Sequence, residues 1–336
     1  MRGIQELMIN KYDLSVSVIV PLFNAKKWVE QCVLNLKDLV NETDYPIEVL
    51  LIDNGSSDDT LSILQKMVLN EPSFKILRSK EKGIIHALNA GVFQAKNAWI
   101  MRHDCDDLSS PKRVAVFQNT LSMLDSITYE KIALVTSRSL LSNSEDLIVG
   151  QGPQLHGYAK LKDIVKETSP FIHGSVFLKA SIVQKMGGYP NEMMHAEDFA
   201  LWRRLSKTDY YAFGLEQYLY WYRFHSTSVS SQCSEQQIRS VEKVLKIQKS
   251  RCWTHFERGI IRRLIWEKNK KEAILFAKST FNLDIPSISD VFQMIRLIVG
   301  DNVDLFKGRV ILYRNEDVKK FQNYVNGIKL NLHHKV

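Results

Sequence analysis

The run Val16-Ser-Val-Ile-Val-Pro-Leu-Phe-Asn24 decides the fold. Its residues are β-branched or apolar at nearly every position, the composition of a strand buried on both faces of a parallel sheet. Asn24-Ala25 makes the turn out of it. Val29, Cys32, Val33, Leu36, Leu39 and Val40 then recur at helical spacing, so residues 26–40 are expected to form a helix. A second strand, Ile47-Glu-Val-Leu-Leu-Ile52, ends at the polar turn Asp53-Asn-Gly-Ser-Ser-Asp58 and leads into an amphipathic helix over 59–69. The alternation continues with a strand at 74–77, a helix over 84–96 and a strand at 98–101. Strands alternating with helices at this spacing predict βαβ units and a mostly parallel sheet, hence an α/β fold.

Beyond Pro111 the pattern predicts a helix to about Leu124 and a strand near 132–137. Residues 142–170 read as loop, punctuated by Gly150, Gly152, Pro153, Gly157 and Pro170. A strand over 176–180 and the turn Gly187-Gly-Tyr-Pro190 lead to a helix from Glu197 to Leu205, and Tyr218–His225 alternates like a half-buried strand. Past Glu235 the pattern is helical, with breaks at Gly259, Pro286 and Gly300. Two regions result: an α/β domain over 12–235 and a basic, mostly helical region over 236–336.

Composition excludes several classes. In 336 residues, 45% hydrophobic and 24% charged content are those of a globular protein with a sizeable core. No stretch approaches the roughly 18 apolar residues that a membrane span requires. The Val16–Phe23 run is short and is followed by Asn24, Lys26 and Lys27, so neither a signal peptide nor an anchor is expected. Cys32, Cys105, Cys233 and Cys252 form no CxxC pair, which argues against zinc or a disulfide framework and suits a reducing, cytoplasmic compartment. The net charge of +8 is concentrated late: residues 236–336 hold twenty Lys/Arg against ten Asp/Glu. That surplus fits a solvated helical surface, acidic lipid headgroups or nucleic acid. Nucleic acid ranks last and is not expected as a partner, because the region lacks the interleaved aromatics and Gly-rich loops of common RNA modules. The apolar run Val291–Val299 reads either as packing against the α/β domain or as a peripheral contact with the inner face of the cytoplasmic membrane.

Ligands of such sheets sit beyond the carboxyl ends of the strands. Those ends carry Asn24, then Asp53 with its Gly-Ser turn, then Asp104-Cys-Asp-Asp107. Three carboxylates within four residues repel one another, and all-oxygen ligation of that kind suits Mg²⁺ or Mn²⁺. The alternative is a solvated acidic loop that caps the helix after Pro111. Glu197-Asp198 at a helix start can supply a general base, and equally two favourable N-terminal charges.

Taken in order, Val16–Asn24, Ile52–Asp58, Lys82-Gly83 with Ala87–Gly91, Arg102–Asp107 with Pro111-Lys-Arg113, His173-Gly-Ser-Val-Phe, Gly187-Gly-Tyr189, Ala196–Leu205 and Tyr222-Arg-Phe-His225 resemble the family-2 glycosyltransferases. These are inverting enzymes with the nucleotide-diphospho-sugar (GT-A) fold, and within them the chain is most similar to bacterial enzymes of lipopolysaccharide and capsule synthesis that use UDP-sugars. The resemblance, over about residues 15–232, implies a role for each matched position. Pro21, Phe23 and Asn24 would line the nucleotide pocket. Asp53 would read the uracil N–H, or cap its own turn ahead of Gly55. Lys82 would sit near the diphosphate. Asp104 would contact the ribose or the metal, and Asp106 would ligate a Mn²⁺ or Mg²⁺ ion. His225 would complete the metal shell, or pack as one more ring in an aromatic strand. Asp198 would be the base and Glu197 would position the acceptor, a saccharide or lipid-linked glycan. Asn54 stands where the family more often has a second acid, and Cys105 reads as a small neutral filler. A nucleotidyltransferase on a related fold would need glycines after the first strand, and Asn24-Ala-Lys-Lys-Trp28 has none. A catalytically silent module that binds a glycan or a membrane partner on the same fold is the remaining alternative.

Overall fold

The computed structural model describes residues 11–143, 146–166, 169–191, 193, 195–225, 228, 240, 316, 320 and 323–327. The domain boundary at 235, the basic region 236–336 and its apolar run 291–299 therefore fall almost wholly outside the described residues. Within them, no helix is long and apolar enough to cross a membrane.

Four strands run parallel at one end of the sheet: β1 (Val16–Leu22), β2 (Ile47–Asp53), β3 (Phe74–Arg78) and β4 (Trp99–Arg102). Every position of β1 is buried, as its composition requires of a central strand. Val16, Val18, Val20 and Leu22 face α1 (Val29–Asn41), α2 (Thr60–Met67) and α4 (Arg113–Ser122), while Ile19 faces α3 (Ile84–Gln94) on the other side. Each such side chain stabilises the fold by roughly 1.5–3 kcal/mol on burial. α1 starts three residues later than its periodicity suggests. The amides of Trp28 and Val29 turn back to the Ala25 carbonyl, and the Ala25 amide is held by Thr60 Oγ1 at 2.8 Å.

The second half adds mixed pairing. Two more short elements, β5 (Leu108–Ser109) and α5 (Ser126–Lys131), precede β6 (Ile132–Ser142). Beyond them lie β7 (Ile148–Gln151), β8 (Gly157–Lys160), α6 (Leu161–Ile164), β9 (Val176–Lys179), α7 (Ala180–Lys185), α8 (Glu197–Leu205) and β10 (Tyr211–Arg223). The strand order is β3-β2-β1-β4-β9-β6-β10-β5, with β7 on β6 and β8 on β10. β9 lies antiparallel between β4 and β6, and so joins the parallel end to the long β6–β10 pair. The segment 142–170, expected to be loop, contains β7, β8 and α6. Its short strands exist because β6 and β10 extend past their neighbours and offer free backbone edges, a tertiary cause that local composition does not carry.

Gly174, in a 3-10 turn over 173–175, is required by packing. A β-carbon there would collide with the Tyr220 hydroxyl, which itself bonds Asp107. Gly174→Ala is accordingly expected to lower stability by about 1–3 kcal/mol through overpacking. The denaturant midpoint measures this, and an unchanged midpoint would refute the close approach.

Candidate active site

At the carboxyl ends of β1 and β2 two loops are laced into one unit. Asn24 adopts φ +47°, a left-handed conformation that Asn tolerates better than most residues. Its Oδ1 accepts from the Ser57 amide at 2.9 Å, and its own amide donates to Ser56 Oγ at 3.0 Å. The Lys26 amide donates to Asp58 Oδ2 at 3.1 Å. Asp53 is buried, and its Oδ1 accepts from the Ser56 amide at 3.1 Å. The turn-capping role is thus present at the residue expected to read the base. Asn54, where the family more often has an acid, uses its Oδ1 to hold the Gly83 amide at 3.1 Å. The side chain of Lys82 lies over Gly55, so Lys82 stands at this same turn, exposed. Phe23 is 56% exposed beside it, while Pro21 is buried within β1.

β4 delivers the acidic loop. Arg102, 2% exposed, donates to the His103 carbonyl and forms an ion pair with Asp104 at 2.6 Å. Burial raises the Asp104 pKa; Arg102 opposes that shift and the charge of Asp106 adds to it. Asp106 Oδ2 lies 2.8 Å from His225 Nε2, and the His225 ring sits 5.1 Å from that of Trp28. His225 thus packs on an aromatic ring and also meets the acidic loop. Arg223 fixes this arrangement from below, donating to the Asp106 carbonyl at 2.9 Å, to Asp146 Oδ1 at 2.6 Å and to Gln31 Oε1 at 2.8 Å.

Asp107 does not cap the helix after Pro111. The cap position of α4 is Lys112, with no side-chain cap. Asp107 is instead buried against β10, accepting from the Tyr220 hydroxyl at 2.6 Å and from the Arg223 amide at 2.8 Å. Burial, then the charges of Asp106 and Asp104, push its pKa well above the usual carboxylate range. The reason is geometric: the chain turns into β5 directly after Asp107, which directs that side chain toward the paired strand β10.

The third contribution comes from the start of α8. Asp198 Oδ1 accepts from the Phe199 amide at 2.6 Å. Burial raises the Asp198 pKa, opposed by that hydrogen bond. Glu197 is pushed up to about 7, by burial first and by Asp198 second, with Arg102 opposing. The same buried guanidinium therefore acts on Asp104, Asp198 and Glu197, which places the β4 loop and the α8 start around one centre. The turn before α8 is built from residues the sequence left without a role. Asn89 clasps the Tyr189 amide and carbonyl at 2.7 and 2.9 Å, the Tyr189 hydroxyl meets His173 Nε2 at 2.8 Å, and His195 holds φ +67°.

The expected metal set of Asp104, Asp106 and His225 is not assembled as a trio. Among the described residues no three His, Cys, Asp or Glu side chains gather around a common point. Asp104 turns to the buried Arg102, whose charge would otherwise lack a counter-ion. Asp106 and His225 remain side by side, with the carboxylate partly exposed. Such a pair fits a hard divalent ion that takes its other ligands from water and substrate phosphates.

Residues 17–129 match the family model described as glycosyl transferase family 2. Over those residues the chain matches the family-2 glycosyltransferases. An uncharacterized glycosyltransferase of Haemophilus influenzae is 25% identical over 240 residues, which span 68% of this chain and 71% of that protein. A chondroitin synthase of Escherichia coli is 35% identical over 112 residues, 32% of this chain but only 16% of the synthase. Among solved structures, residues 1-349 of S. aureus TarS in complex with UDP-GlcNAc superpose with a TM-score of 0.53 at 16% identity, covering 76% of this chain and 73% of that TarS chain. The mannosyltransferase PcManGT of Pyrobaculum calidifontis, in complex with GDP-Man and Mn2+, gives a TM-score of 0.53 at 16% identity over 96% and 87% of the two chains. At that identity these two likenesses establish the GT-A fold, in agreement with the sheet described above.

Arg102, Asn89 and Arg223 lie inside the motifs quoted from the sequence and Tyr220 inside the Tyr218–His225 strand, but motif reading assigned none of the four a role. Arg102 adjoins the acidic loop in sequence, and its burial was the one signal that composition could not supply. The Glu197 environment has a measurable consequence. Its folded pKa is above the unfolded value of 4.5, so below about 4.5 both states are protonated and there is no difference. As pH rises toward about 7 the unfolded state ionises first, and folding is penalised increasingly, fully so above 7. Glu197→Gln is expected to raise the melting temperature at pH 8 and to leave it unchanged at pH 4. Equal melting temperatures at pH 8 would show that Glu197 is not under this strain.

Proposed function

We propose that the protein transfers a sugar from a UDP-sugar to a hydroxyl of a saccharide or lipid-linked glycan, with inversion at the anomeric carbon, in the synthesis of a cell-surface polysaccharide. The observation that supports this reading is the placement of Asp53 and Asp104–Asp106 at the carboxyl ends of the parallel strands β2 and β4, with the buried Glu197 and Asp198 of α8 close enough to feel the charge of Asp104. UDP as the nucleotide is supported by the TarS complex with UDP-GlcNAc, and the polysaccharide product by the likeness to the chondroitin synthase.

In this reading the laced loops at Pro21–Asn24 and Asp53 take the nucleoside, and the second oxygen of the Asp53 carboxylate accepts the uracil N–H. Lys82, standing over the Gly55 turn, offsets diphosphate charge. Asp198 Oδ1 is occupied by the Phe199 amide, which holds the carboxylate in place and leaves the other oxygen to take the acceptor proton. The acceptor oxygen then bonds to the anomeric carbon as the bond from that carbon to the diphosphate breaks, and UDP departs. A single displacement of this kind inverts the centre. Glu197, with a pKa near 7, borders the base and orients the acceptor. Asp106 and His225 would hold a Mn²⁺ or Mg²⁺ ion, whose contribution is to neutralise charge on the leaving diphosphate. The complex of PcManGT with Mn2+ supports a divalent ion of this type. Asp104, held in place by its ion pair with Arg102, contacts the ribose. Residence in the cytoplasm, and a membrane contact through residues 236–336, rest on the sequence alone.

Thermal shift against UDP, GDP, CMP and their sugars tests the reading, since a ligand of the folded state raises the melting temperature. Stabilisation by UDP or one UDP-sugar that requires Mn²⁺ and is lost in Asp106→Ala is expected. Asp198→Asn should keep that stabilisation while lowering kcat about 10²–10⁴-fold. Absence of any nucleotide shift in the folded protein would overturn the assignment in favour of a silent binding module.

A further inference from the structure

A short helical segment at 323–327 lies against α1 and β10. Val325 is completely buried in a small apolar cluster with Leu108, Leu140, Ile148, Tyr218 and Trp221. Next to it the Tyr324 hydroxyl donates to Asp38 Oδ2 at 2.7 Å and accepts from Asn35 Nδ2 at 2.9 Å. A cavity of about 310 Å³, lined in part by Lys112, Tyr218, Lys320 and Tyr324, opens beside this contact.

Asn35 is the pivot. It is fully buried, and its amide is shared between the C-terminal segment and the two ends of the acidic loop. Oδ1 accepts from the Ser109 amide at 2.8 Å and lies 3.3 Å from His103 Nε2. Nδ2 donates to the Ser109 carbonyl at 2.7 Å as well as to Tyr324. His103 and Ser109 bracket Asp104–Asp107, and Ser109 pairs with Tyr220, which in turn bonds Asp107. A buried amide so placed has few alternative partners, so its orientation is set by the sum of these bonds.

We propose that the segment around Tyr324 is a clamp that fixes the loop 103–109 through Asn35, making Tyr324 and Asn35 positioning residues for donor binding. The clamp rests on the donor site assigned above only for its effect on affinity; its effect on the loop needs no ligand. It also gives the C-terminal part of the chain a task at the site, beyond the packing and membrane readings drawn from its composition. Because the contact covers the apolar side chains of Leu108 and Trp221, release of the segment would expose them to water and unseat β5 from behind.

Tyr324→Phe removes the hydroxyl and its hydrogen bonds to Asn35 and Asp38 while keeping the ring, so the variant is expected to fold. Hydrogen exchange on the full chain reads the loop directly. Amides of 103–109 should exchange about tenfold faster in Tyr324→Phe than in the wild type, with those of β1 and β2 unchanged. Exchange that rises equally everywhere would mean general destabilisation, and exchange that rises nowhere would mean no clamp; either overturns the proposal. Titration with UDP and Mn²⁺, well below the melting temperature, should show the affinity falling roughly threefold to tenfold, the scale of one or two hydrogen bonds. Unchanged UDP affinity beside a normally binding wild type would limit the segment to packing. A double-mutant cycle with Asn35→Ala should be non-additive, and strict additivity would remove Asn35 as the link. If the wild type binds no nucleotide, the donor assignment fails and the exchange result alone decides the clamp.

Discussion

A buried guanidinium next to an acidic rim is the constraint on which the site depends. Arg102 has lost its water at the end of β4, and Asp104 gives it a counter-ion at 2.6 Å. Without that cation, Asp104, Asp198 and Glu197 would raise one another's pKa values through burial and like charge. With it, buried carboxylates from two distant parts of the chain share the influence of one cation. A second buried arginine supports the first. Arg113 sits about equally far from the Phe177 and Tyr220 rings, 5.0 Å from each, and donates to the Gly174 carbonyl at 2.7 Å. Burial lowers its pKa to about 9.

These arginines explain why the second half of the sheet is built as it is. β9 and β10 bring Gly174, Phe177, Tyr220 and Arg223 under the acidic loop, and each contacts a charged group from the β4–α4 segment. Gly174 leaves room for the Tyr220 hydroxyl to reach Asp107. The long β6–β10 pair is thus both core and scaffold. Histidines 103 and 173, beneath the cleft, are held neutral by burial and by the neighbouring arginines, and so act as packing groups with one satisfied nitrogen.

Function follows from how rigidly the strand ends are held. The β1 and β2 loops bond each other through Asn24, Ser56, Ser57 and Asp58, so the surface at the carboxyl ends of these strands is preformed and would cost little to order on binding a ligand. The α8 side is less regular, with His195 in a left-handed conformation just before Glu197 and Asp198. Strain of that kind is a recurrent feature of functional sites, and here it adjoins the two buried carboxylates that start α8.

Much of this was legible in the sequence. Val16–Phe23 reads as a central strand, the alternation through residue 102 as βαβ, and the carboxylates of Asp53, Asp104 and Asp106 stood where a parallel sheet places its ligands. Those features are local or periodic, so the order of residues determines them. Three things were decided by the tertiary structure alone. Strands β7 and β8 exist because β6 and β10 supply free edges. Asp104 pairs with Arg102 and leaves Asp106 to His225 because burial of a guanidinium demands a counter-ion. Asp107 supports β10 in place of capping α4 because the turn into β5 points it there. In each case the deciding partner lies far away in sequence, and only the fold brings it within hydrogen-bonding distance.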